Sequence, residues 1–91
     1  MGKVKVKLYA TLKEIIGKDT VFVEAKTVRE AIDNLIKLYP ELSNVIIENN
    51  ENLKDDYIYL VNGRNIVFLQ NEETPLKEGD KVTIFPPVGG G

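Results

Sequence analysis

With 91 residues the chain is one domain at most, and its formal net charge of −2 argues against nucleic acid as the main partner. It has neither cysteine nor histidine, which excludes disulfide staples, thiolate or imidazole zinc sites and catalysis by Cys or His. Hydrophobic residues make up 43% of the sequence, enough to bury a small core without such staples.

The N-terminus runs straight into alternation. Val4, Val6, Leu8 and Ala10 interleave with Lys3, Lys5, Lys7 and Tyr9, the period-two pattern of a half-buried strand. No signal-peptide core precedes it and no apolar run approaches membrane-spanning length, so a cytoplasmic chain is expected. Three lysines on one strand face read as a solvated face. Thr11–Ile16 reads as a helical turn with Thr11 as N-cap and Gly17 as its stop; Leu12, Ile15 and Ile16 should plug one end of the core. Thr20–Ala25 is a second strand, and the short link makes it an antiparallel neighbour of the first.

Thr27-Val28-Arg29-Glu30 reads as a capping box opening a helix to about Tyr39, because Pro40 disfavours helical geometry in the residue before it. Val28, Ala31, Ile32, Leu35, Ile36 and Leu38 or Tyr39 recur at three- and four-residue spacing, so this helix must bury a stripe against the sheet. Leu42, Val45, Ile46 and Ile47 suit a further turn of helix, and Glu48–Asp56 reads as a polar loop. Tyr57–Val61 is a strand apolar on both faces. Asn62-Gly63 is a hairpin turn, from which Ile66–Phe68 should return. After a polar loop at Asn71–Thr74 and an inward Leu76, Glu78-Gly79-Asp80 makes a tight turn. In the last strand Val82 and Ile84 face the core, and Lys81, Thr83 and Phe85 face out.

This pattern is an α+β domain, a mixed sheet with one main helix packed on one face. No catalytic constellation accompanies it. Asp55-Asp56 and Glu72-Glu73 are loop acids of the ordinarily solvated kind, and no helix follows Gly89-Gly90-Gly91 to make a phosphate loop. Chemistry is left to the chain's last residues. Pro86-Pro87 removes two N–H donors and keeps the chain extended, and three glycines then make a strip thin enough to enter a deep slot. The domain is expected to span 1–88 and the flexible tail 89–91.

Phe85-Pro86-Pro87-Val88 with its glycines, Pro75-Leu76-Lys77-Glu78-Gly79-Asp80, Val61-Asn62-Gly63 and Val4–Gly17 together resemble the MoaD family, the small subunits of molybdopterin synthase among the ubiquitin-like MoaD/ThiS sulfur carriers. The resemblance covers nearly the whole chain. It implies a β-grasp fold with the first and last strands adjacent, hence Tyr9 beside Phe85. It implies that Gly91 carries the reactive carboxylate, adenylated and then converted to a thiocarboxylate. Gly89 and Gly90 would give access, and Pro86, Pro87 and Val88 would aim the tail. Partner-binding residues are expected at Tyr9, Phe85 and Ile66. The implied partners are a MoaE-like large subunit and a MoeB-like, ubiquitin-activating-like adenylyltransferase. No bound cofactor or metal is implied, ATP being used by the activating enzyme, and neither nucleic acid nor membrane is a partner. Two alternatives stand beside the carrier: a ubiquitin-like modifier conjugated through Gly91, and a β-grasp interaction module without chemistry.

Overall fold

Five strands form one mixed sheet in the order β2-β1-β5-β3-β4. The computed structural model describes residues 2–48, 52–54 and 56–87. The expected flexible tail at Gly89–Gly91, and Val88 before it, lie outside the described residues. In chain order the elements are β1 (Lys3–Leu8), α1 (Thr11–Ile16), β2 (Thr20–Glu24), α2 (Val28–Leu38), α3 (Ser43–Ile46), β3 (Ile58–Val61), β4 (Arg64–Asn65) and β5 (Lys81–Phe85). β1 pairs antiparallel with β2 and parallel with β5, and β5 pairs antiparallel with β3. This is the β-grasp, ubiquitin-like arrangement.

Period two in the strands and period 3.6 in α2 meet in one core. Val4, Val6 and Leu8 of β1, Val21 and Val23 of β2, Tyr59 and Val61 of β3, and Val82 and Ile84 of β5 line the inner sheet face. Against them lie Val28, Ala31, Ile32 and Leu35 of α2, all at most 1% exposed. Thr27 caps α2 as expected, its hydroxyl accepting from the Glu30 N–H at 3.1 Å. The Glu30 carboxylate, however, accepts from Lys26 N–H at 2.7 Å, one residue before the cap. Such a cap contributes about 1 kcal/mol.

Several local expectations change. β1 stops at Leu8, and Thr11 is the first residue of α1; the cap position is Ala10, with no side-chain cap bond. Leu12 is fully buried at the end of the core, but Ile15 is exposed. Gly17 does stop α1 in the left-handed region, its N–H donating to Lys13 O at 2.9 Å. Leu53, expected in a polar loop, is buried, and it forms an isolated bridge with Ile47. The return strand after Asn62-Gly63 is Arg64–Asn65; Ile66–Phe68 curls into a 3₁₀ turn because the Asn65 carboxamide accepts from Val67 N–H at 3.1 Å. Thr83 is only 6% exposed, because its cross-strand neighbours Lys7 and Leu60 are both longer.

A polar tie anchors β5 to the hairpin turn. Asp80, largely buried, accepts through Oδ1 from Asn62 Nδ2 at 3.0 Å and through Oδ2 from Lys77 N–H at 2.9 Å. Asn62 Oδ1 accepts from Lys81 N–H at 3.0 Å. Burial alone would raise the Asp80 carboxyl pKa, but the Asn62 amide, the Lys77 N–H and the Lys77 charge together hold it below the usual carboxylate value. A depressed folded-state pKa gives stability that is present above the unfolded value of about 3.9 and lost as pH falls through the folded one. Asp80→Asn is therefore expected to cost about 1–3 kcal/mol at neutral pH. It should also flatten the loss of stability below about pH 4, as read by thermal unfolding across pH.

Candidate functional site

β5 lies in the middle of the sheet, held by β1 on one side and β3 on the other. The register sets Leu8 beside Ile84 and Ile58 beside Phe85. At the C-terminal end of β5 the outer sheet face therefore carries a row of three apolar residues, Tyr9, Phe85 and Ile58. The rings of Tyr9 and Phe85 stack with centroids 4.7 Å apart and planes 13° from parallel. Tyr9 is 39% and Ile58 40% exposed, and Phe85 is half-buried between them. Aromatic residues in such a row are the anchors that protein partners use.

A strained turn holds Tyr9 in place. Leu12 N–H donates to Tyr9 O at 3.2 Å, and Ala10 takes φ 54°, ψ −126°. This is the second position of a type II′ turn, where glycine is the usual residue, and alanine there costs about 1–3 kcal/mol. Lys7 Nζ stands 5.9 Å from the centre of the Tyr9 ring and 3.6 Å from Asp19 Oδ2. The Thr20 hydroxyl and then the Lys7 charge hold the Asp19 carboxyl below its ordinary pKa.

Past Phe85 the chain leaves the sheet. Pro86 and Pro87 have no N–H with which to continue a ladder, so the strand ends where the aromatic row begins. Pro86 is half-buried and Pro87 exposed. Val88, Gly89, Gly90 and Gly91 lie outside the described residues.

The structure thus brings Tyr9, Phe85, Pro86 and Pro87 together and leaves out Ile66. That residue, expected to touch a partner, is 5% exposed and belongs to the core. Its 3₁₀ turn points it inward and turns Val67 and Phe68 outward instead, 60% and 84% exposed. Ile58 was missed as a member of the row. The apolar character of Tyr57–Val61 on both faces was the signal for it, but only the strand order places it next to Phe85. Glu72, one of the adjacent loop acids, pairs with Arg29 Nη1 at 3.1 Å. Among the described residues no group of His, Cys, Asp or Glu is arranged to hold a metal ion, and no helix is long and apolar enough to cross a membrane.

Phe85→Ala removes one half of the stacked pair and leaves Val82 and Ile84 in the core. It is expected to weaken partner binding while costing the fold little beyond the stack's own contribution, about 0.5–1.5 kcal/mol. Calorimetric titration together with a thermal melt checks both parts; unchanged binding, or outright unfolding, contradicts the assignment.

The ThiS family model matches residues 6–91. Small archaeal modifier protein 3 of Haloferax volcanii is 33% identical over 92 residues, covering 98% of this chain and 99% of its own. The molybdopterin synthase sulfur carrier subunit of Dictyostelium discoideum is 28% identical, covering 96% of this chain and 94% of its own. The solution structure of small archaeal modifier protein 1 from Methanosarcina acetivorans superposes with a TM-score of 0.91 at 37% identity, covering 100% of this chain and 98% of that one.

Proposed function

Because the chain belongs to the ThiS family of ubiquitin-like sulfur carriers, we propose that it carries sulfur as a thiocarboxylate on Gly91 and delivers it as the small subunit of a molybdopterin synthase. The observation that supports this is where β5 ends. The central strand ends at Phe85, and Pro86-Pro87 leave it beside the Tyr9–Phe85 stack. A partner that docks on the aromatic row then sits where Pro86-Pro87 lead off from β5.

The chemistry follows from what a carboxylate needs. It is inert until a carboxylate oxygen attacks the α-phosphorus of ATP, releasing pyrophosphate and leaving an acyl-adenylate. A sulfide nucleophile then attacks the acyl carbon and AMP departs, so one oxygen of Gly91 is exchanged for sulfur. The domain's own residues dock, aim and present; bond making belongs to the adenylyltransferase and to the large subunit of the synthase. Two such deliveries supply the two sulfurs of the dithiolene.

A second reading is favoured by the 33% identity to an archaeal modifier protein. The same acyl-adenylate, attacked by a lysine amine in place of sulfide, leaves Gly91 in an isopeptide bond. One experiment separates the two. The protein is incubated with ATP, an activating enzyme and sulfide, and its intact mass is measured. It is then mixed either with the synthase large subunit and the pterin precursor or with cell extract. A mass gain equal to exchanging oxygen for sulfur, followed by dithiolene formation, supports the carrier. Lysine conjugates without dithiolene support the modifier, and no mass change overturns both.

A further inference from the structure

The outer sheet face gathers cations in a chain whose net charge is −2. On that face β1 presents Lys3, Lys5 and Lys7, and β5 presents Lys81. Strand pairing sets two of them against each other. Lys5 and Lys81 are direct partners in the parallel β1–β5 register, and both are exposed. On its other side Lys5 faces Phe22 of β2. Beside Lys81 lies Asn62, whose N–H and carboxamide oxygen hold the Lys81 backbone. Lys7 has Asp19 at 3.6 Å, and Lys3 stands across from Glu24. Among the described residues neither Lys5 nor Lys81 has an ion-pair partner.

Like charges directly opposite on paired strands destabilise a sheet. Lysines do guard sheet edges against unwanted pairing. That role does not explain this pair, because β1 and β5 are both interior strands. An acid at either position would suit the isolated fold better, so the pair calls for a negative group from outside the chain.

We propose that Lys5 and Lys81 receive a carboxylate-bearing segment of the adenylyltransferase that activates Gly91, while the Tyr9–Phe85–Ile58 row docks on the same enzyme. The inference rests on the reading that this face docks the activating enzyme, a step that the carrier and the modifier share. The two features belong to one surface. Lys5 lies four residues before Tyr9, and Lys81 four before Phe85, on paired strands. The cation pair is therefore about 13 Å along the sheet from the stacked rings. That separation fits within a footprint of about 800 Å² on each partner. The rings are the anchors that desolvate. The exposed lysines act earlier, steering the encounter, because exposed interface charges set the association rate and its salt dependence more than the dissociation rate. A protein that is handed from one enzyme to the next gains from fast encounter without a tight hold.

The test follows association of the full chain with purified adenylyltransferase by stopped flow, with pyrophosphate release as the readout of activation. It is run at low salt and again near 1 M, where the Debye length shrinks to about 3 Å. Lys81→Glu should slow association at low salt by about tenfold or more, and the difference should vanish at high salt. Because it turns a like pair into an opposite one, Lys81→Glu should raise the melting temperature of the free protein, so slower binding is not misfolding. Lys37→Glu makes the same change of charge on an exposed position of α2, away from this face, and should leave the rate near that of the wild type. Phe85→Ala should instead speed dissociation at both salt concentrations. The inference is overturned if Lys81→Glu associates as fast as the wild type, if it is slowed no more than Lys37→Glu, or if its defect persists at high salt. It is also overturned if a single-stranded oligonucleotide binds the wild type as tightly as the enzyme does. A wild type that releases no pyrophosphate removes the reading beneath the inference, and the inference with it. A wild type that is activated at the same rate as Lys81→Glu at low salt removes the inference alone.

Discussion

Deleting Gly89, Gly90 and Gly91 is expected to abolish sulfur delivery while leaving the thermal midpoint unchanged. Among the described residues every member of the core cluster lies between Val4 and Ile84, and β5 ends at Phe85. The glycines themselves have no side chains to bury. Removing Gly91 alone still leaves a carboxylate, now on Gly90, so adenylation can persist. The reach is shorter by about 3.3–3.6 Å. Misplacing a reacting atom by about 1 Å can cost 100-fold, so transfer should fall by at least that much. The assay is dithiolene formation by purified large subunit with chemically thiocarboxylated full-length and shortened proteins, with melting curves alongside. A shortened protein that transfers sulfur as well as the full chain removes the carrier reading. The interaction module would take its place, because the aromatic row would survive the deletion intact.

The second large effect is on stability. Leu35 is fully buried in α2, among the largest such side chains, and the α2 stripe covers the inner sheet face. Leu35→Ala removes that contact and leaves a cavity, for an expected cost of about 2–5 kcal/mol. In a domain of this size that is a fall of roughly 10–30 °C in Tm. Leu38→Ala, three residues on and 56% exposed, should stay within about 0.5 kcal/mol. Denaturant unfolding of the two variants checks the contrast. Equal losses would mean that the buried face of α2 is misassigned. The link to the site is direct, since α2 closes the core over the sheet whose central strand carries Phe85 and leads into Pro86-Pro87.

Much of this was legible because local rules act over short spacings. The capped, striped α2 and the alternating β1 follow from periods of 3.6 and 2, and Gly17, Gly63 and Gly79 mark turns that require positive φ. The Phe-Pro-Pro ending showed where the last strand must stop, because proline removes the N–H that a ladder needs. The absence of cysteine and histidine narrowed the chemistry before any fold was known. What periodicity left open depends on which strands are neighbours, and the family resemblance alone set Tyr9 beside Phe85. Tyr9 and Phe85 are 76 positions apart and stack only because β1 and β5 pair in parallel, while Ile58 joins them through the antiparallel β3–β5 register. Burial by neighbours is equally non-local. Thr83 sits on the outer face yet is covered, because Lys7 and Leu60 flank it. Ile66 and Phe68 look interchangeable as apolar residues after a turn, but one bond from the Asn65 carboxamide curls that segment, turning Ile66 into the core and Phe68 into solvent. Tertiary packing decided these points because each side chain's exposure depends on residues distant in the chain, which no local period encodes.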